Sequence, residues 1–409
     1  PGRTDMAQAN VLPSAIELMS VLPGRASRPK ALAPALCILS ALLAEAGASA
    51  PELNASHPVN VPTFEINLDL PPRRRWVRVA QSYRLFFAQY GKKLLSDLES
   101  SPDSPWSNEQ RQEIYASFGH EIREEIEGFV EALQHPMAKL EHFMKQQAVY
   151  EFGMTQGYDC SGIVATKADG TTIHGRNLDL GGRFPLAPKL TLNVEFVKGG
   201  VKLARGVTFL GNVGVPTGIR LGHHQWTIEQ NTRFEADGQD LWVPRTMKAL
   251  RLGGRTSALA GREILLSHKT FEGAVAAFAN TRWLAPQYFV MAGSRQYEGA
   301  VVTVDRSDKA NVWYDIWTLS PAAGRWLLIQ TNDDHWRDPM DARRDSARVM
   351  LKLQKKRKHG VDGERMMYAM RSEPVCNELT VYSWVTTPST GNTHLQMGPC
   401  EHSAPSEHR

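Results

Sequence analysis

The stretch DCSGIVATKADGTTIHGRNLDL, residues 159–180, decides how the rest of the chain is read. Apolar and polar residues alternate on both sides of Ala168-Asp169-Gly170, and Asp-Gly between two such runs is a strong signal for a tight hairpin. With the turn centred near residue 169, the pairing geometry of antiparallel strands sets residue 178 opposite Cys160. Arg176 and Asp179 then flank the cysteine, a thiol held with one guanidinium and one carboxylate on a rigid ribbon. A neighbouring cation lowers a thiol pKa, and the thiolate is the nucleophile. On these residues alone, an Arg–Asp pair on a strand beside a packed cysteine explains the pattern better than a reactive site does.

Working outward, two regimes meet near residue 160. Before it, Trp76 to Leu98 and Glu109 to Ala148 carry apolar residues at helical spacing, with Pro102 and Pro105 between them. After it, SGIVATK, TTIHGRN, LTLNVEFVK, VKLARGVTFL, YFVMAGS, GAVVTVDR, NVWYDIW and LTVYSWV read as strands. Helical stretches are expected at Leu241 to Leu252, Gly261 to Trp283 and Asp341 to Lys356. A helical lead followed by many strands with interspersed helices predicts a layered α+β architecture.

Near the C-terminal end, PVCNELTVYSWV and THLQMGPC read as two strands joined at Ser389-Thr390-Gly391-Asn392. Folding about a centre near residue 390 brings Cys376 to Cys400, which predicts a disulfide.

The 409 residues are 42% hydrophobic and 22% charged, with a formal charge of only +4 spread along the chain, which argues against a nucleic-acid partner. The 13 histidines make the protein strongly cationic in an acidic compartment. From Met19, basic residues (Arg25, Arg28, Lys30), an apolar run from Ala31 to Leu43 and Ala48-Ser49-Ala50 have the order of a secretory signal peptide. Residues 1–50 are accordingly expected to be an upstream extension and signal segment, with a mature start near Pro51. Asn54-Ala55-Ser56 is then a glycosylation sequon. Removing Cys37 with the leader leaves Cys160, Cys376 and Cys400, an odd number that suggests one free thiol and one bridge. No G-x-S-x-G, H-E-x-x-H, C-x-x-C or Walker loop occurs, and the adjacent His223-His224 in a Gly-rich loop read as solvated, so no metal or cofactor is expected.

The sequence from about Phe64 to Cys400 resembles the acid ceramidase and N-acylethanolamine acid amidase family. The likeness is carried by Asn67-Leu68-Asp69-Leu70-Pro71-Pro72 with Trp76, by Cys160 with IVA and HGRNLD, and by Thr208-Phe209-Leu210-Gly211. It continues through Gly293 with Glu298-Gly299, Thr331-Asn332 to Asp334-His335-Trp336, Asp341 with Arg343-Arg344, and Leu379-Thr380-Val381-Tyr382.

The resemblance implies an N-terminal-nucleophile hydrolase, a four-layer αββα sandwich that cuts itself between Asp159 and Cys160. It implies a helical α-subunit of residues 51–159 and a catalytic β-subunit of residues 160–409, held together as an α/β heterodimer. Cys160 is implied as nucleophile, its freed α-amine, of pKa ~7.7–8.0, as base or relay. Arg176, Asp179 and Arg343 are implied as the charged ring and Asn332 as an oxyanion donor, of a kind that contributes ~3 kcal/mol. With that work given to Asn332, Asp333-Asp334-His335 is implied as structural rather than metal-binding.

Three departures accompany the likeness: Thr232, beside Asn231, stands where the family commonly has glutamate; Ser161-Gly162 replaces Thr-Ser; and the chain is a few residues longer between Glu151 and Cys160. Asn231 and Thr232 are carried as oxyanion or supporting positions, the latter through its backbone.

The implied substrate is a fatty-acyl amide lipid in the lysosome, reached by the secretory route. Leu178 and His335 lean toward N-acylethanolamines, while Pro374 to Tyr382 resembles ceramidases as closely. A silent lipid-binding relative and a bile-acid or penicillin amidase are the other readings. Apolar α-subunit residues such as Leu85, Phe86, Phe87, Leu94 and Leu95 are expected mostly to face the β-subunit, and those that do not to line the acyl-chain entrance or make peripheral membrane contact.

Overall fold

A computed structural model describes residues 61–99, 106–154, 159–180, 185–234, 239–337, 341–355 and 360–400. The expected signal segment, the start at Pro51 and the Asn54 sequon lie outside these residues. In chain order the elements are β1 (Thr63–Asn67), α1 (Pro72–Arg75), α2 (Val77–Ser82), α3 (Arg84–Glu99), α4 (Asn108–Ala116), α5 (His120–Leu133) and α6 (Leu140–Gln147). After the residue-160 divide come β2 (Cys160–Thr166), β3 (Thr172–Asp179), α7 (Ala187–Leu190), β4 (Thr191–Lys198), β5 (Val201–Phe209), β6 (Thr217–Arg220) and β7 (Trp226–Thr232). Then follow α8 (Gln239–Arg251), α9 (Ser257–Ser267), α10 (Phe271–Asn280), β8 (Gln287–Gly293), β9 (Gly299–Val304), β10 (Tyr314–Thr318) and β11 (Leu327–Gln330). The last elements are α11 (Ala342–Lys355), α12 (Gly363–Met370), β12 (Thr380–Thr387) and β13 (Asn392–Met397).

The hairpin that opens the second half has the expected register, with Cys160 opposite Leu178 and Gly162 opposite Arg176. Its turn works because Gly170 takes φ +82°, a left-handed conformation that a side chain would strain. This hairpin is the middle of a five-stranded sheet, β11-β2-β3-β12-β13, stacked on an eight-stranded sheet, β1-β4-β5-β6-β7-β8-β9-β10. Ile163, Ala165 and Ile173 on the outer face of the smaller sheet pack against Ala347 and Leu351 of α11 and Met366 and Met370 of α12. Phe196, Ile228, Phe289 and Met291 on the outer face of the larger sheet pack with Leu259, Leu265 and Phe278 of α9 and α10. Helices therefore cover both outer faces, and the fold is a four-layer αββα sandwich. Strands β2, β3, β7 and β8 are buried along their whole length, which places their inner-face side chains between the sheets.

The N-terminal segment is stitched to the rest by buried contacts. Strand β1 pairs in parallel with β4, so one strand of the larger sheet comes from before Cys160. Buried Glu125 accepts from Trp76 Nε1 at 2.8 Å and from Arg262 Nη2 of α9 at 2.8 Å. The run from Trp76 to Leu98, read as continuously helical, is two helices, α2 and α3, parted at Tyr83, and a break at Trp76 sets α2 off from α1. Both aromatics are buried, and the breaks turn them into the core, which contributes more than unbroken helical hydrogen bonding would. Gly261 to Trp283 likewise divides, because Thr270 caps a new helix by accepting from Gly273 N. Of the α3 residues, Phe86, Phe87, Leu94 and Leu95 are core and Leu85 alone among these five is exposed, at 86%.

Cys376 and Cys400 are joined in a disulfide with their Cα atoms 5.8 Å apart. β12 and β13 pair with Thr387 opposite Asn392, which carries the two cysteines to the same end of the hairpin.

Candidate active site

Cys160 begins β2 and is buried to 2% exposure between the sheets, and it is the free cysteine among the described residues. Because side chains alternate along a strand, Cys160, Gly162, Arg176 and Leu178 share the inner face, whereas Asn177 and Asp179 share the other. Asn177 accordingly donates to the carbonyls of Met370 and Val375 on the helix side. Arg176 points inward, and its Nη1 donates to the carbonyls of Pro216 at 3.2 Å and Gln230 at 3.0 Å.

The peptide bond between Asp159 and Cys160 is held from both ends. The Cys160 N–H donates to Asn332 Oδ1 at 2.8 Å, and the Asp159 carbonyl accepts from the Asp179 N–H at 3.2 Å. Asn332 is itself fixed, because its Nδ2 donates to the Thr232 carbonyl at 2.9 Å. Arg343 caps the group: Nη1 donates to the Cys160 carbonyl at 3.1 Å, and Nη2 donates to Asn332 Oδ1 at 3.3 Å and lies 3.1 Å from Asp159 Oδ1. Asp341 Oδ2 accepts from Arg343 Nη2 at 2.5 Å, and Asp179 Oδ2 lies 4.0 Å from Nη1. Asp179 also accepts from Thr380 Oγ1 at 2.7 Å.

Burial pushes the Cys160 thiol up to about 12, against the pull of Arg176 and with a push from Asp179, so the resting group is the neutral thiol. Burial also drives Asp179 up to about 7, opposed by Thr380 and Arg343. Burial works against the Arg343 charge, but Asp341, Asp159 and Asp179 outweigh it and raise its pKa. Glu151 lies eight residues before Asp159 in the sequence, and its Oε1 accepts from Ser257 N at 2.8 Å and Ser257 Oγ at 2.6 Å. Burial takes it too up to about 7, against those hydrogen bonds.

Asp179 and Glu151 both bind their protons more tightly folded than unfolded, where their ordinary values are 3.8 and 4.5. Their contribution to stability is therefore complete below about pH 4 and is lost as pH rises through about 7. The melting temperature is expected to fall over that window, and Asp179→Asn together with Glu151→Gln should flatten the fall. A melting curve series in which the double variant keeps the wild-type slope would contradict the assignment.

The structure brings Asp159, Cys160, Arg176, Asp179, Asn332 and Arg343 together. Thr232 enters through its carbonyl, while Asn231 stands one step back, its Nδ2 donating to Glu229 Oε1 at 3.1 Å and the Gln330 carbonyl at 3.4 Å. Sequence reasoning passed over Glu229, Tyr150, Tyr382 and Asp341 as site groups. Tyr150 and Tyr382 are buried and act electrostatically on both Cys160 and Arg176. Asp341 stood in the resembling stretch with Arg343, and a carboxylate two residues from a site arginine at a helix start was the available signal. Among the described residues no group of three or more His, Cys, Asp or Glu is placed to hold a metal ion.

A family model described as the beta subunit of N-acylethanolamine-hydrolyzing acid amidase matches residues 59–102, on the N-terminal side of Cys160. The N-acylethanolamine-hydrolyzing acid amidase of Caenorhabditis elegans is 30% identical over 330 residues, which is 80% of this chain and 88% of that protein. The chain belongs to the N-acylethanolamine acid amidase and acid ceramidase family. Acid ceramidase of Bos taurus is 28% identical over 362 residues, 83% of this chain and 87% of that one. Among solved structures, the Caenorhabditis elegans N-acylethanolamine-hydrolyzing acid amidase ortholog superposes with a TM-score of 0.50 at 31% identity, covering 56% of this chain and 93% of that chain. As a member of this family the protein is an amidohydrolase with the N-terminal-nucleophile fold.

Proposed function

We propose that this family member hydrolyses N-acylethanolamines to a fatty acid and ethanolamine, using a Cys160 terminus that it exposes by cutting its own Asp159–Cys160 bond. The observation that carries this reading is the clamp on that bond, with the Asp159 carbonyl on the Asp179 N–H and the Cys160 N–H on Asn332 Oδ1. In the first reaction Cys160 Sγ adds to the Asp159 carbonyl carbon and its proton passes to the departing nitrogen. The C–N bond breaks, leaving a thioester and a free α-amine. Water then adds to the thioester, restoring the thiol and leaving Asp159 as a new carboxylate terminus. The second reaction repeats the first on a lipid amide: Sγ takes the acyl group, the leaving amine takes a proton by way of the α-amine, and water releases the fatty acid. Asp179 N–H supports charge on the carbonyl oxygen in self-cleavage, and Asn332 orients the amine that the cut creates.

The two fragments, 51–159 and 160–409, remain together as an α/β heterodimer. The lysosome, reached by the secretory route, is the proposed location, and Asp179 and Glu151, which lose nothing in acid, support it. The choice of N-acylethanolamine rests on the name of the Caenorhabditis elegans relative; ceramide is the second reading, from the bovine acid ceramidase. Mass spectrometry after incubation at about pH 4.5 and at neutral pH, followed by hydrolysis of both lipids, is the test. Intact protein and no hydrolysis of either would leave a silent lipid-binding relative.

Peripheral membrane contact is proposed at Trp313 and Trp336, which are 44% and 49% exposed and have ring centroids 6.3 Å apart; Trp336 follows Asn332 closely in the sequence. Indole rings favour the membrane–water boundary. Cosedimentation with anionic vesicles is expected to drop roughly tenfold in the Trp313→Ala, Trp336→Ala double variant, about 1.4 kcal/mol; equal cosedimentation would refute that placement.

A further inference from the structure

Arg176 carries a buried charge that the clamp does not balance. A guanidinium keeps its proton at any ordinary pH, and this one is fully buried. Its Nη1 meets two backbone carbonyls, while Nε and Nη2 lack a hydrogen-bond partner. Carbonyls satisfy donors without cancelling a charge. The groups acting on it electrostatically are Tyr382, Cys160, Glu229 and Tyr150. Burial raises the pKa of both phenols and of the thiol, so those three are neutral at rest. Among the four, Glu229 is the carboxylate.

Glu229 lies fully buried in the middle of β7, facing the nucleophile's strand. A Cβ added to Gly162 would fall 1.7 Å from Glu229 Oε1, so the carboxylate occupies the side-chain space of position 162. That position is two residues from Cys160 and is the register partner of Arg176. Asn231 Nδ2 donates to Oε1 at 3.1 Å, and His174 Nε2 lies 3.4 Å from Oε2. His174 is held in turn by Nδ1 on Thr227 Oγ1 at 2.7 Å, and it precedes Arg176 by two residues on the same face of β3.

We infer that Glu229 is the counter-charge of Arg176 and, with His174, a positioning pair that sets the guanidinium beside Cys160. Glu229 stands three positions before Thr232, where relatives commonly carry a glutamate, so a carboxylate reaches the inter-sheet space from a different point of the same strand. Gly162 in place of a side-chain-bearing residue after the cysteine is the matching change, because it vacates the seat. The inference rests on Cys160 as nucleophile but not on which amide the enzyme cuts.

The field at Cys160 comes from Arg176, Glu229, Asp179, Tyr150 and Tyr382, with Arg343 and Asp159 at its backbone. Removing the Glu229 charge leaves Arg176 unopposed and makes the thiol easier to ionise. The test is the pH dependence of Cys160 alkylation by iodoacetamide, read on the Cys160 peptide by mass spectrometry, beside the pH profile of kcat/KM. Glu229→Gln, which keeps size and polarity, is expected to lower the apparent pKa of Cys160 by roughly one unit. Glu229→Asp retains the charge and is expected to keep the wild-type profile. A Gln variant that fails to fold beside an Asp variant with the wild-type profile also supports the charge role. An unshifted Gln profile, or two variants that both fail to fold, overturns the proposal. A shifted alkylation profile without hydrolysis of any lipid amide would sink the amidase reading and leave this one standing.

Discussion

Cys160→Ala is expected to run as one uncut chain after acid incubation, under which the proposed self-cleavage should divide the unaltered protein into two fragments at Cys160, and to lose activity by on the order of 10⁶-fold, the usual scale for a deleted nucleophile. No other described thiol is available to substitute, since Cys376 and Cys400 are bonded to each other. The backbone clamp does not need the thiol: the Cys160 N–H and carbonyl contacts to Asn332 and Arg343 are main-chain contacts that alanine keeps. Folding should therefore survive and isolate the chemical loss. A variant still divided at the same bond would mean that another protease makes the cut.

Arg343→Met is the second large effect. Its guanidinium is the cation shared by Asp341, Asp179 and Asp159, and the Asp179 side chain is wholly buried. Methionine replaces the length of the side chain but leaves the Asp341 and Asp179 carboxyls without their partner, a loss of about 3–5 kcal/mol for buried pairs. Asp159 is 39% exposed and is left out of that figure, because water screens it. Asp179 should titrate still higher than about 7 in the variant, so the destabilisation shrinks at pH 5, where it is protonated in either protein. Denaturant titrations at pH 5 and pH 8 measure the difference. A loss below about 1 kcal/mol at pH 8 would mean that Arg343 is not the partner these carboxyls depend on.

The hairpin from Cys160 to Asp179 was legible because Asp-Gly fixes the turn and a turn fixes a register; the pairing of Cys160 with Leu178 followed from counting. The disulfide was legible for the same reason. Strand β7 was not. Its sequence, WTIEQNT, lacks both alternation and an apolar run, yet every residue is buried, because its polar side chains fill the space between two sheets. Periodicity reports a boundary between core and water, and β7 has no water on either side. Glu229 was hidden with it. Asn332 was visible only through resemblance: a loop 172 residues from Cys160 meets it through the sheet stacking, which no local pattern encodes. The break at Tyr83 was missed because apolar spacing is the same in one helix and in two, and only the joint differs.

Strand β1 lends the proposed cut a thermodynamic consequence. As long as the chain is whole, β1 returns to its seat beside β4 after any local opening, since the two are tethered. Once the Asp159–Cys160 bond is gone, the same pairing joins separate molecules, and its restoration becomes second-order in protein. Unfolding of the cut form should then depend on protein concentration and recover poorly on cooling, while the Cys160→Ala chain refolds as a unit. Maturation would thus turn a reversible folder into an assembly that persists because its halves rarely part.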